Sequence, residues 1–207
     1  MKKKRQLLRQ EEIRKLILDA AREIIAKEGF QGLSIRKITN RIEYSPAIIY
    51  HYFKDKNEIV ESLVSEAYEQ ILATISSVKR NEAEPEKEMK EVFINYIEAA
   101  LASPEVYKEF MLNNDPSVLK RTGLLRKGIS KTSRSLKILC ENIQRGAVLG
   151  RYAPCDPELT AQIIWTSTFG LIIKIIIEKD IPKEQINRLI DQHFTIIFNG
   201  IMLKREA

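Results

Sequence analysis

The chain has 207 residues with an apolar fraction of 44%, which is enough for the core of one ordinary domain or two small ones and excludes a disordered polypeptide. Its two cysteines exclude a disulfide framework and fit no metal motif, and residues 6–14 are too polar for a signal peptide. The longest apolar run, residues 163–177, includes Lys174 and is too short to span a bilayer, so we expect a soluble, cytoplasmic protein without a membrane segment.

The net charge of +6 comes entirely from the first part of the chain. Residues 1–60 contain 14 Lys and Arg against 8 Asp and Glu, whereas residues 61–207 contain 20 of each. A basic segment joined to a neutral remainder is typical of a DNA-binding head on a separate body. The basic residues 2–5 are either an arm that follows DNA or an ordinary solvated tail.

The first predicted helix carries an apolar stripe that includes Ile13, Ile17 and Ile24. Gly29 followed by Phe30 is typical of a helix C-cap. We expect this helix to support two short helices that follow it.

The first of the two short helices is predicted to begin after Ser34, a residue that favours the N-cap position. Ile35, Ile38 and Ile42 then face inward, because residues three or four apart share one face of a helix. Glu43 and Tyr44 form the predicted turn.

The second short helix is predicted from Ser45 and Pro46, since serine caps orphan backbone N–H groups and proline at the first helical position loses no hydrogen bond. Ile49 and Phe53 face inward, and Asp55 is the predicted N-cap of a third helix. Two short helices at this spacing place one helix in the DNA major groove in many proteins.

This segment resembles the TetR family of bacterial transcriptional regulators over about residues 9–68. The resemblance is carried by Ala20-Ala21, Gly29-Phe30, Ser34, Ile38, Ser45, the run Ile49-Tyr50-His51-Tyr52-Phe53 and Lys56. Three residues depart from the family pattern. Glu43 stands where the family usually has glycine, Thr39 replaces a usual alanine, and Ile48 replaces a small or hydroxyl residue.

Helical spacing of apolar residues continues to the C-terminus, so we predict an all-α protein of about nine helices. The fourth helix, from Lys56 to about Val78, leaves a DNA-binding helix-turn-helix domain of residues 1–56 for a ligand-binding and dimerisation domain of residues 57–207. A charged linker at 81–90 precedes the fifth predicted helix. Later helices are predicted to start at Ser103-Pro104, Asp115-Pro116, Asp156-Pro157 and Pro182. The stretch that starts at Asp115-Pro116 is predicted to break near Gly123 or Gly128 and to stop at Gly150.

The resemblance implies a homodimer in which the last two helices of each subunit pair. The penultimate helix is apolar nearly all round, so it must be buried on more than one side. Gly170 and Gly200 allow the close approach of a partner subunit. The alternative is a central helix in a monomeric core.

The resemblance also implies which residues contact DNA. Pro46, Ala47, Ile48 and His51 present the recognition surface, where methyl groups can touch thymine. Phosphate contacts are expected from Ser34, Ser45, Tyr50, Tyr52 and Lys56, and Arg36 can reach either bases or phosphates. For Tyr52, packing beneath the first helix is as good an explanation as contact with DNA.

Aromatic and other apolar side chains at helical spacing in the body predict an effector cavity, although an ordinary core has the same composition. The candidates are Phe93, Tyr96, Tyr107, Phe110, Met111, Leu136, Cys140, Trp165 and Phe169. Residues 120–151 add nine basic side chains against Glu141 alone. They either pair with the acidic stretch 82–98 or hold the head group of an anionic effector, such as a long-chain acid or its phosphate-bearing thioester, near residues 126–134.

We therefore expect a ligand-responsive regulator, a repressor by the family resemblance, that binds a palindromic operator as a dimer and is released by a small apolar or amphipathic effector. The alternative is a helix-turn-helix regulator controlled by a protein partner without a small effector. An enzyme is not expected, because the histidines are only His51 and His193 and no catalytic motif occurs. No cofactor or metal is expected.

Overall fold

The computed structural model describes the backbone of residues 2–113 and 116–203, and within these ranges it is all-α, as predicted. The helices are α1 (Lys2–Gly32), α2 (Ile35–Ile42), α3 (Pro46–Tyr52), α4 (Lys56–Ser77), α5 (Pro85–Ala102), α6 (Pro104–Leu112), α7 (Pro116–Thr122), α8 (Arg134–Val148), α9 (Pro157–Glu178) and α10 (Lys183–Ile201).

The stretch predicted to continue from Pro116 to Gly150 is divided near both predicted break points. It forms α7, a 3₁₀ turn at Ile129–Lys131, and α8, so the described residues form ten α-helices where about nine were predicted. Gly128 adopts a φ of 80° before the 3₁₀ turn, a conformation that glycine accepts without strain. The predicted N-cap Asp115 lies outside the described residues.

The chain forms two compact units. The first contains residues up to Glu69 together with Ser103–Leu112, and the second contains Gln70–Ala102 together with the described residues from Asn113 onward. The first unit therefore includes α6, which had been expected in the body. The functional boundary at residue 56 stays a prediction, since it concerns activity and not compactness.

The core of the first unit is formed by one face from each of its helices. Gly29, with a φ of 69°, interrupts the helical conformation inside α1 at the predicted C-cap. Val106 brings α6 into the same core, and the rings of Tyr68 and Phe110 lie 5.4 Å apart. Other fully or nearly fully buried members are Ile17, Ala21, Ile25, Ile38, Ile49, Phe53, Ile59 and Leu63.

The second unit is centred on an aromatic cluster contributed by α5, α9 and α10. The Trp165 ring lies 4.5 Å from Tyr96 and 5.2 Å from Phe93, and Phe194 lies 5.8 Å from Phe93. These spacings are those of edge-to-face and tilted aromatic packing. The helix arrangement therefore fills this interior with rings.

Glu158, in the first turn of α9, fixes the segment that precedes α8. Its carboxylate accepts hydrogen bonds from the Gly128 N–H at 2.6 Å, the Ser130 N–H at 3.0 Å and the Ser130 hydroxyl. These bonds, led by that of the Ser130 hydroxyl, hold the pKa of Glu158 below its usual value. The loop between α7 and α8 is thus anchored to α9.

Candidate nucleic-acid interface

Helix α2 begins and ends as predicted. The Ser34 hydroxyl accepts a hydrogen bond from the Lys37 N–H at 3.3 Å, which is an N-cap. The helix ends at Glu43, whose φ of 57° and ψ of 37° are left-handed, and the N–H groups of Glu43 and Tyr44 both donate to the Thr39 carbonyl. A position that favours glycine is therefore occupied by a residue with a Cβ.

Helix α3 begins at Pro46 as predicted, but the predicted side-chain cap by Ser45 is wrong. The Ile48 N–H donates to the Ser45 backbone carbonyl at 3.0 Å, and the Ser45 hydroxyl makes no capping hydrogen bond. The Ile48 N–H, one of the two donors from which a capping hydroxyl can accept, is therefore already bonded to the backbone. The exposed Ser45 hydroxyl remains available to a partner outside the chain.

One face of α3 anchors the helix and the opposite face is exposed. Ile49 and Phe53, at the end of the helix, are buried in the core of the first unit. We define the exposed α3 face by its outward residues, which are Pro46, Ala47, Tyr50 and His51. This arrangement presents four side chains on a rigidly supported short helix.

Ile48 and Tyr52 lie between these two faces. Both are half-buried and pack against the core of the first unit. The Tyr52 ring also packs against the His51 ring at a centroid distance of 5.0 Å. Each has a structural role here, and their contacts with DNA stay predictions.

Most basic side chains of α2 are paired with α1. Lys37 bonds to Glu28, and Arg41 bonds to Glu23. Arg36 is exposed and has no ion pair among the described side chains. Arg36 is therefore the α2 cation best placed to bind an external phosphate or base.

The start of α4 is capped by acidic side chains. Asp55 Oδ1 accepts from the Glu58 N–H at 3.0 Å, which confirms the predicted N-cap, and Glu58 Oε2 accepts from the Lys54 N–H at 2.5 Å. Lys56 lies half-exposed beside them. A phosphate bound by Lys56 would meet two carboxylates, and this contact stays a prediction.

Comparison with known proteins decides the family. The family model of bacterial regulatory proteins, tetR family, matches residues 17–63. The HTH-type transcriptional repressor DhaR of Mycobacterium sp. strain GP1 is 22% identical over 196 residues, covering 94% of this chain and 94% of DhaR. The chain belongs to the TetR family of transcriptional regulators.

Two further comparisons agree with this assignment. The regulator UidR of Escherichia coli K12 is 35% identical over 57 residues, which is 28% of this chain and 29% of UidR. The crystal structure of the TetR family regulator PfmR from Thermus thermophilus has a TM-score of 0.69 and 17% identity, covering 91% of this chain and 99% of PfmR. The structural likeness shows a shared fold.

The predicted effector residues of this TetR-family chain fall in different units. Tyr107, Phe110 and Met111 lie on α6 in the first unit. Phe93, Tyr96, Leu136, Cys140, Trp165 and Phe169 lie in the second, where all but the half-buried Phe169 are buried. The structure therefore does not bring the nine residues together in one unit, and their effector contacts stay a prediction.

Cys140 illustrates the core role of these residues. Burial, followed by the charge of Glu158, raises the pKa of the Cys140 thiol to about 11. The thiol donates to the Pro157 carbonyl at 3.6 Å. Cys140 is therefore an unreactive small side chain that packs α8 against α9.

The basic stretch 120–151 is only partly neutralised by the acidic stretch 82–98. Arg145 bonds to Glu88, and Arg151 bonds to Glu86 with an Nε–Oε2 distance of 2.9 Å. Both arginines lie at the C-terminal end of the basic stretch. Charge pairing thus explains this end, and it leaves the cations at the start of α8 without partners from the described residues of the acidic stretch.

Apolar side chains are exposed on α9 and α10. Ile163 and Ile177 of α9 and Ile196 of α10 are 68%, 56% and 63% exposed. A Cβ added to Gly170 or Gly200 would meet no atom within 4 Å. Neither glycine is therefore explained by packing within the described part of the chain.

Helix α9 is long and apolar enough to cross a membrane when judged by length and composition alone. Within its most apolar window, 44% of the residues are buried inside the structure. A core helix of a soluble protein passes the same test, so this helix is weak evidence for a membrane span.

Proposed function

We propose that this TetR-family regulator is a cytoplasmic homodimeric repressor that binds a near-palindromic operator through α3 and releases it on binding a small effector. The exposed α3 face, held from beneath by buried Ile49 and Phe53, is the observation that carries the proposal. A rigid short helix with outward side chains fits the major groove.

Contacts with DNA are assigned by the exposure of each side chain. Ala47 and His51 face the bases, while Tyr50, Arg36 and the Ser45 hydroxyl, which makes no capping hydrogen bond, bind phosphates. Ser34, Ile48, Tyr52 and Lys56 contribute mainly by fixing the orientation of the helices, with any DNA contact secondary to that role.

Dimerisation is supported by the exposed isoleucines of α9 and α10. Ile163, Ile177 and Ile196 present apolar area that association would remove from water. Gly170 and Gly200 lie open on these helices and admit a close partner helix. Two-fold pairing through one self-complementary face would present two α3 helices to two half-sites.

Release requires an effector that binds one conformation of the protein more tightly than another. Helix α4 is continuous from Lys56, beside the helix-turn-helix, to Ser77 in the second unit. A ligand that shifts the end of α4 can therefore change the position of its start. DhaR, similar over nearly the whole chain, is named as a repressor, and this supports repression here.

The proposal is tested by selecting bound duplexes from a random DNA pool with the full-length protein. We expect an enriched inverted repeat whose half-sites lie about one helical turn apart. Enrichment of a single, unrepeated site would contradict dimeric recognition. No enrichment above the input pool would contradict sequence-specific DNA binding.

A further inference from the structure

An open cleft lies in the second unit between the end of α4, the start of α5 and the first half of α8. Its volume of about 390 Å³ is within the range of small-molecule sites. One side carries Arg134 and Lys137 beside Glu141, together with Arg80, whose guanidinium is paired with Glu82. Another side is apolar, with Ile75, Val92 and Ile138. The cleft thus combines the two surfaces that an amphipathic ligand requires.

Two cations of the cleft lie at the start of α8, where the helix dipole disfavours positive charge. Arg134 is the first residue of α8, Lys137 follows one turn later, and the first turn contains no acidic residue. The positive end of the helix dipole favours an anion over cations. Arg134 has no ion pair among the described side chains, and Lys137 Nζ lies 3.9 Å from Glu141 Oε1.

A second observation comes from Arg145, which also lines the cleft. Its side chain is only 10% exposed, and Nη2 bonds to Glu88 Oε2. Its buried Nε makes no hydrogen bond to the described residues and lies 3.9 Å from Glu82 Oε2. Buried donors without partners are rare, and an anionic oxygen from a ligand is a suitable acceptor.

The aromatic interior is a poorer site than this cleft. Its void, lined by Phe93 and Trp165, has a volume of about 10 Å³, which is scarcely enough for one water. Val92 and Ile138 line both this void and the open cleft. A ligand in the cleft would therefore press on side chains adjacent to Trp165.

We propose that the cleft is the effector site of the regulator and binds an amphipathic anion, an inference that rests on the proposed function. A carboxylate or phosphate monoester head group binds Arg134 and Lys137 and reaches Arg145 Nε. A short apolar chain lies on Ile75 and Val92. Because Ile75 belongs to α4, the ligand contacts the helix that begins beside the DNA-binding residues.

The first test is calorimetry on the full-length protein without DNA, using octyl phosphate, octanoate, 1-octanol and inorganic phosphate as probes. We expect at least one anionic octyl probe to bind about tenfold or more tightly than 1-octanol and inorganic phosphate. The tighter anion identifies the head group. Equal binding of 1-octanol, or no heat from either anionic octyl probe, would overturn the inference.

The second test uses paired charge variants. Arg134→Gln with Lys137→Gln should weaken the anionic probe about tenfold or more. Lys120→Gln with Lys127→Gln removes the same charge from exposed residues that do not line the cleft, and it should change affinity less than about twofold. Equal losses in both variants would show a nonspecific charge effect and reject the site.

Trp165 supplies an independent signal because it is the only tryptophan of the chain. Binding in the cleft should change its fluorescence, and the Arg134→Gln and Lys137→Gln variant should need about tenfold more probe for the same change. An unchanged spectrum at saturating probe would place the ligand elsewhere.

The two proposals fail separately. If the protein binds the anion at the cleft but selects no DNA sequence, the proposed DNA-binding function is refuted and the anion site stands. Operator binding by a protein that ignores both anionic probes, or responds only to a neutral apolar compound, would refute the site and leave the regulator.

Discussion

Both units contain ion pairs between distant residues, but the pair between Arg22 and Glu66 in the first unit is 38% and 40% exposed, whereas the pair between Arg145 and Glu88 in the second is 10% and 9% exposed. In the first unit, the Ser34 hydroxyl accepts a hydrogen bond from the Lys37 N–H, and the Asp55 carboxylate accepts one from the Glu58 N–H. In the second unit, Arg145 binds Glu88 across a separation of 57 residues. Short-range signals are visible in a sequence, while the partners in long-range pairs become visible only in the fold.

The largest difference between the two units is expected from changes at the exposed isoleucines of the second unit. Replacing Ile163 and Ile196 together by Glu should weaken dimerisation about 1,000-fold or more, because four carboxylates would enter an apolar interface. Analytical ultracentrifugation measures the change. Asn187→Glu, an exposed change on α10, is the control and should leave the dimer intact; an unchanged dimer in the double variant would place the interface elsewhere.

The long-range ion pair of the second unit provides the next largest effect. Glu88→Gln should lower the free energy of unfolding by about 3 kcal/mol, because it removes the nearer and more buried of the two carboxylates beside the Arg145 guanidinium. Denaturant unfolding measures this loss. Glu178→Gln breaks the exposed pair with Lys174 and should cost less than about 1 kcal/mol; equal costs would contradict the special role of the buried pair.

The first unit is tested on the exposed α3 face. Ala47→Glu should weaken binding to the selected operator at least about 100-fold, because a carboxylate would face the DNA anion. Stability should be unchanged because Ala47 is exposed. Ala26→Glu makes the same substitution at an exposed site on α1 and serves as the control in gel-shift titrations. A similar loss in both variants would indicate that overall charge, and not the α3 face, determines affinity.

The smallest effect concerns one backbone angle. Glu43→Gly should stabilise the first unit by about 1 kcal/mol, because glycine adopts a φ of 57° without the Cβ penalty. Glu43→Ala keeps the Cβ and should show no such gain. Hydrogen exchange of α2 and α3 amides reports the change within this unit, and a less protected glycine variant would show that the left-handed residue carries no strain.

Much of the first unit could be predicted because caps and apolar spacing act locally. The boundaries near Ser34, Pro46 and Asp55 follow from residue preferences that operate within one helical turn. The error at Ser45 arose because two acceptors compete for the Ile48 N–H, and the backbone carbonyl holds it. Residue preference alone cannot decide that competition.

The helices after α4 show what apolar periodicity leaves open. The spacing on α6 correctly indicates a buried face, but it does not say that Val106 packs in the first unit. The spacing of the aromatics Phe93 and Trp165 is typical of a core and also allows a cavity lining, and here their rings are within contact distance. The cleft joins residues from three helices, so no local sequence pattern could outline it.

The return of α6 to the first unit restricts how the protein can be divided. A fusion that carried only residues 1–69 onto a foreign sensor would lack Val106, and the core of the first unit would lose one of its buried side chains. A hybrid regulator made from this chain therefore needs the segment 103–112 supplied as well, by an internal graft. The first unit cannot be exchanged by cutting the chain at a single position, because its residues come from two separate segments.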